Sequence, residues 1–358
     1  MKNVLFATTA LVAMSGSAFA AGHAAGPVVT FSGEINTGYN DDDKGGLFWD
    51  AELELGASID LGDNVTASLD VTLLEWSQNG NGVTSAATVE VAYTGDTLSA
   101  SLKMGDMDDK GASEYFYTDR DGMAIDVENH DGDDEVRAIV EFGSFGVAAG
   151  CDMDGSGTCD ATTGYNFGAG ATFGSIELGF GYDEADADLN PDEKWGVSAD
   201  TTFGAASVGV SYISNETTGL DSVGVAVGYT VSDALSVGAY FATNSGLPAD
   251  SYGVNVDYTA GAMTVDVFFD HTTAGTDEYG VDVSYALNDQ LTVNAGYLSG
   301  AADSIINGAD FIDDHFYAGV EYVVNDNISA TVSYSSADED LGDPEYFEGV
   351  SAFITATF

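Results

Sequence analysis

Between Asp106 and Asp134 the chain carries eleven carboxylates: Asp106, Asp108, Asp109, Glu114, Asp119, Asp121, Asp126, Glu128, Asp131, Asp133 and Asp134. Lys110 and Arg120 lie among them, and Lys103 and Arg137 stand just outside. Carboxylates so closely spaced attract cations, repel anions and lower the barrier to a cation in a confined aqueous path. Covalent chemistry has little footing by comparison. The histidines are His23, His130, His271 and His315. Asp270 and His271 are adjacent, but in an extended segment they point to opposite faces, and no nucleophile motif accompanies them. The chain is therefore not expected to be an enzyme.

The segments that must position these charges alternate. Before the acidic stretch, Leu98, Ala100, Leu102 and Met104 share one face and Ser99, Ser101 and Lys103 the other. After it, Val136, Ala138, Val140 and Phe142 alternate with Glu135, Arg137, Ile139 and Glu141. Period-two alternation places one face against an apolar phase and the other toward water. The intervening segment is far too long for a hairpin. The expectation is an all-β transmembrane barrel whose lumen is narrowed by this folded-in acidic loop.

Seven Lys and Arg oppose sixty Asp and Glu, a formal charge of −53. Nucleic acid is excluded as a partner, because neutralising phosphates needs clustered basic residues. Such self-repulsion needs screening by salt or bound cations. No stretch past the leader approaches eighteen uninterrupted apolar residues, which excludes helical spans. The leader itself has Lys2, an apolar run from Val4 to Met14, and Ala18-Phe19-Ala20 as a cleavage site. It reads as a signal peptide over residues 1–20, with one domain over 21–358. In an exported chain, Cys151 and Cys159, in a Gly-rich loop, are expected to form a disulfide.

Alternation starts at Val29 and is cleanest from Leu47 to Leu61, where Leu47, Trp49, Ala51, Leu53, Leu55, Ala57, Ile59 and Leu61 share one face. Nine tight turns rich in Gly, Asn and Asp follow: at Leu61–Asn64, Thr94–Thr97, Gly143–Gly146, Phe173–Ser175, Phe203–Ala205, Val231–Ala234, Thr259–Ala262, Leu287–Gln290 and Val324–Asn327. These residue types supply the positive φ that two-residue turns require. Nine turns, with both chain ends on the same side, give about twenty strands; the range sixteen to twenty is accepted. Longer polar loops (Asn40–Gly46, Asp183–Glu193, Ser299–Asp314, Ser336–Glu345) read as the outer face.

By alternation the inward carboxylates are Glu34, Asp50, Glu52, Glu54, Asp60, Asp70, Glu90, Glu177, Asp257, Asp266, Asp270, Asp282 and Glu321. Trp49, Trp76 and Trp195, with the many Tyr and Phe, fit aromatic girdles at two membrane interfaces. Acidic runs such as Asp41–Asp43 offer oxygen ligands suited to calcium or magnesium, but none has calcium-loop spacing. No cofactor is expected and no metal ligand is assigned.

At the end of the sequence, Val350, Ala352, Ile354, Ala356 and Phe358 alternate with Ser351, Phe353, Thr355 and Thr357. With the signal peptide, the Phe-Gly turns at Phe173 and Phe203, and Met104-Gly-Asp106 leading into Gly111-Ala-Ser-Glu114, this resembles a Gram-negative outer-membrane general porin of the alphaproteobacterial type. The resemblance implies a homotrimer of barrels in outer-membrane lipid and lipopolysaccharide, passing ions and small hydrophilic solutes by passive diffusion. It implies that Phe358 ends an assembly signal and that the third loop folds inside. It also implies a constriction with acidic residues on the loop (Asp106, Asp108, Asp109, Glu114, Asp119, Asp121) facing a basic side (Lys103, Arg137, Lys110, Arg120). The family usually has sixteen strands, fewer than the turns here require, and a fuller basic cluster. The excess of acid points to a cation preference. Two other readings are a substrate-specific outer-membrane channel, hinted at by Tyr115, Phe116 and Tyr117, and a secreted acidic calcium-binding β-protein.

Overall fold

The structure is a computed structural model that describes residues 28–41, 46–77, 80–82, 87–106, 111–127, 134–153, 164–185, 192–300, 314–336 and 348–358. The leader, Asp108, Asp109, Lys110 and Cys159 lie outside the described residues.

The first strands are β1 (Val28–Asn40), β2 (Gly46–Gly62), β3 (Val65–Ser77), β4 (Gly80–Gly82), β5 (Ala87–Thr94), β6 (Leu98–Asp106) and β7 (Asp134–Phe142). Next come β8 (Phe145–Asp152), β9 (Tyr165–Phe173), β10 (Ile176–Asp183), β11 (Lys194–Phe203), β12 (Ala206–Asn215), β13 (Leu220–Ser232) and β14 (Leu235–Asn244). The last are β15 (Ser251–Ala260), β16 (Met263–His271), β17 (Asp277–Asn288), β18 (Leu291–Ser299), β19 (Asp314–Asn325), β20 (Ile328–Ser335) and β21 (Gly349–Thr357). Strand β4 has three residues and pairs with β3 alone, so twenty strands build the wall. Each pairs antiparallel with its sequence neighbours, and β1 pairs with both β2 and β21, which closes the barrel. The twenty strands expected from the turns are those observed.

Closure follows from the side-chain pattern. On β2, Leu47, Trp49, Ile59 and Leu61 are exposed while Phe48, one residue out of phase with Leu47 and Trp49, is 4 % exposed. An outward apolar face suits lipid, and lipid offers nothing to an unpaired backbone group, so the sheet can leave no edge. Register is local: Gly62, Asp63 and Asn64 have φ of 84°, 53° and 66°, the left-handed geometry of a tight hairpin turn. Three connections at the opposite end are short: 216–219, 245–250 and 272–276.

The seam between β1 and β21 is fixed by side chains as well as by the ladder. Buried Asn40 donates through Nδ2 to Ser351 Oγ at 2.9 Å and to the Glu348 carbonyl at 2.7 Å. Phe358 and Gly33 exchange backbone hydrogen bonds at 3.1 and 3.2 Å. The Phe358 ring lies over Gly33, where a Cβ would stand 2.8 Å from the ring's Cζ. Replacing Asn40 by Ala leaves buried acceptors unmet, at about 1–3 kcal/mol. The expected outcome is a lower temperature for loss of the heat-modifiable folded band in detergent; an unchanged temperature would refute this account of the seam.

The fold is inverted relative to a water-soluble protein. Its buried apolar clusters lie inside the lumen, between wall and loop. One joins Ala112, Ile139 and Ala148, with Phe116 against them; the other joins Tyr117, Val127 and Ile213, with Met123 and Ile125.

Candidate functional site

The described part of the acidic segment, residues 111–127, forms no regular element and lies against the inner wall. It does so because the wall beneath it is made of glycine. A Cβ at Gly168 of β9 would sit 2.2 Å from the Ala112 carbonyl oxygen. On β10, one at Gly179 would sit 2.1 Å from the Phe116 carbonyl oxygen, and one at Gly181 2.5 Å from that of Ser113. Gly146 of β8 and Gly170 of β9 face the Phe116 ring, Gly196 of β11 faces Tyr117, and Gly209 of β12 faces the Arg120 guanidinium. Inward glycines on consecutive strands thus form a groove one side chain deep. Alternation of apolar and polar residues does not single these glycines out; their recurrence at inward positions of β8, β9 and β10 is the signal the sequence carries.

Polar contacts fix the segment along the groove. The Thr118 amide donates to Ser198 Oγ at 3.2 Å, and Ser211 Oγ donates to the Thr118 carbonyl at 2.5 Å. Arg120 Nη2 is 2.6 Å from Asp200 Oδ2. Asn244 Nδ2 donates to the Gly122 carbonyl at 2.9 Å, and the Ala124 amide donates to Asn244 Oδ1 at 2.9 Å. Burial, and then the charge of Asp119, push the Tyr117 phenol far above its usual range, so it stays protonated.

The loop has two electrostatic sides. Asp119, Asp121 and Asp126 are exposed to the bore and Glu114 is half-buried. Arg120, expected beside Lys103 and Arg137 on the basic side of a constriction, turns to the wall, 9 % exposed. Lys103 faces Glu90 on β5 and Arg137 on β7. Arg137 is 3 % exposed, with its guanidinium carbon 5.6 Å from the centre of the Tyr115 ring. Asp106 closes β6 opposite Asp134. Buried Cys151 is disulfide-bonded.

All four Lys and Arg among the described residues (Lys103, Arg120, Arg137 and Lys194) lie on the arc from β6 to β11 or on the loop covering it. Strands β12 to β21 and β1 to β5 carry neither residue type. Their inward carboxylates stand in rows. Asp257 is opposite Asp266, which is opposite Asp282. Glu34 is opposite Glu52. Tyr317 donates to Asp282, while Ser236 and Asn255 donate to Asp257 at 2.9 and 3.2 Å. These donors hold the Asp257 and Asp282 carboxylates in place. Among the described residues no group of three or more His, Cys, Asp or Glu is arranged to hold a metal ion.

A closed, lipid-facing barrel with a loop laid through its lumen is the architecture of a diffusion channel. The family model described as Gram-negative porin matches residues 7–249, more than half of the chain. The chain belongs to the Gram-negative porin family. Porins are channels rather than enzymes, and membership and fold together place this one in the outer membrane. No curated protein matches it in sequence. Among solved structures, a triple mutant of the Rhodopseudomonas blastica porin is 14% identical, covering 92% of this chain and 100% of its own at a TM-score of 0.48. A double mutant of that porin is 15% identical over the same shares, also at 0.48. Neither transfers residue roles to this porin, whose site stands on its own geometry.

Proposed function

We propose that this porin passes ions and small hydrophilic solutes by passive diffusion, with cations preferred, and that it works as a homotrimer after removal of residues 1–20. The observation that carries this reading is the loop: residues 111–127 lie against the inside of a closed barrel and turn Asp119, Asp121 and Asp126 to the bore. No covalent step is required. Size exclusion comes from the loop's bulk, and charge discrimination comes from the carboxylates that face the water path.

Purified protein in a planar bilayer tests the reading. The native protein is expected to give discrete conductance steps in groups of three. Shortening the loop by deleting residues 111–127 widens the bore, so unit conductance and the uptake of larger sugars into liposomes should both rise. Absence of any channel would sink the transport assignment; channels in single steps would sink only the trimer. A heat-modifiable trimer in detergent extracts is the matching biochemical result.

A further inference from the structure

We propose that a hollow in the lumenal wall, at the tight-turn end of the barrel, is a binding subsite for small hydroxylated amines of the amino-sugar class. The proposal rests on the channel reading above and names a solute class that this channel would retain in passing. The hollow spans β11 to β15 and has a volume of about 350 Å³, within the range of about 300–1,000 Å³ usual for small-molecule sites. Its polar lining is Thr202, Ser207, Thr230, Ser236, Asn255 and Asp257. On β11, β12 and β14 these residues share the inward phase of Asp200, Gly209 and Asn244, which meet the loop. Arg120 lies against Gly209 and Gly224, so the hollow opens just beyond the loop, toward the turns at 204–205 and 233–234.

Missing side chains make the space. Gly228 and Gly238 stand opposite each other on β13 and β14. A Cβ at Gly228 would be 2.6 Å from Ser207 Oγ, and one at Gly238 2.1 Å from Asn255 Oδ1. The floor is therefore bare backbone, bordered by polar side chains from β12 and β15. Its chemistry joins one carboxylate to several hydroxyls. Ser236 Oγ and Asn255 Nδ2 both donate to Asp257 Oδ2, at 2.9 and 3.2 Å, which orients the carboxylate. No Lys or Arg on β12 to β21 neutralises it, and Arg120 on the loop is taken by Asp200. A protonated amine supplies that charge through a charge-assisted hydrogen bond. Thr202, Ser207 and Thr230 offer hydroxyls that both donate and accept, which suits the hydroxyls of the same solute. A neutral sugar uses only the hydroxyls, and a plain amine only the carboxylate. A hydroxylated amine uses both.

Single-channel potassium currents through the full-length protein test this with three probes of one ring size. Glucosamine, with its amine protonated, carries charge and hydroxyls; N-acetylglucosamine carries hydroxyls without charge; cyclohexylammonium carries charge without hydroxyls. Glucosamine is expected to interrupt the native current at concentrations at least about fivefold lower than either of the others. Asp257→Asn should bring glucosamine down to the level of N-acetylglucosamine. Ser207→Ala with Thr230→Val should weaken the glucosamine block by about fivefold and leave that of cyclohexylammonium unmoved. A heat-modifiable band for each variant shows that the barrel has formed; if Asp257→Asn does not fold, the hydroxyl pair carries the test. Equal block by all three probes, or a glucosamine block that neither variant moves, would overturn the subsite. Native channels that glucosamine does not interrupt would overturn it too, and leave the channel assignment standing. A native protein that gives no current steps would take the channel assignment and the subsite down together.

Discussion

A KCl gradient across a bilayer holding this porin is expected to give a reversal potential of the sign set by potassium. The argument is positional as well as compositional. A net charge of −53 attracts cations from any direction, but selectivity is decided where the water path is narrow. There the loop presents Asp119, Asp121 and Asp126, and its Arg120 is engaged by the wall. On the wall, Asp257, Asp266 and Asp282 occupy neighbouring positions on β15, β16 and β17, in an arc without Lys or Arg. A carboxylate about 4 Å from a permeating ion contributes about 1 kcal/mol even at the dielectric constant of water, about fivefold in local cation concentration. Replacing Asp257, Asp266 and Asp282 together by Asn should therefore lower the potassium-to-chloride permeability ratio by at least about fivefold and leave neutral-sugar uptake unchanged. The preference should also weaken as salt rises from 0.1 to 1 M, over which the screening length contracts from about 10 to about 3 Å. A chloride-signed potential would end the idea that these charges select.

The second large effect is expected from filling the groove. Gly168, Gly179 and Gly181 each touch backbone of the loop, so a side chain there cannot be relieved by a rotamer change in the neighbour. Overpacking costs about 1–3 kcal/mol at a single site, and three Val substitutions together reach about 3–9 kcal/mol. That exceeds what a few hydrogen bonds contribute to holding the loop. The strand ladders are untouched, since β-branched residues suit strands. The triple variant should thus assemble as a heat-modifiable barrel whose unit conductance is reduced, because the loop is lifted off the wall and into the bore. Conductance equal to native would mean that the groove does not seat the loop; failure to form any barrel would mean that wall and loop fold as one unit.

How far residues announce their positions differs from one part of this molecule to another. The strands from Leu47 to Leu61 and from Val350 to Thr357 were legible because period-two alternation is a property of neighbours in sequence. The count of twenty was legible because each tight turn is specified by a few adjacent residues, such as Gly62, Asp63 and Asn64. The inward carboxylates followed from the same alternation, and the register places Asp257, Asp266 and Asp282 in one row as that alternation requires.

The loop obeys no such rule. An irregular segment has no period, so nothing local distinguishes Arg120, turned to the wall, from Asp119 and Asp121, turned to the water. Its partners Asp200 and Asn244 are 80 and 120 or more residues away in sequence, and their proximity is created by closing the barrel. Glycine on a strand reads locally as a weak point; a row of glycines becomes a seat only when the register brings Gly168, Gly179 and Gly181 side by side. Sequence alone determined which residues form strands, where they turn and which face meets lipid, because those choices are settled within a few residues. Tertiary structure decided where the loop lies and which charges remain in the bore, because those contacts form between segments that meet only once the ring is shut.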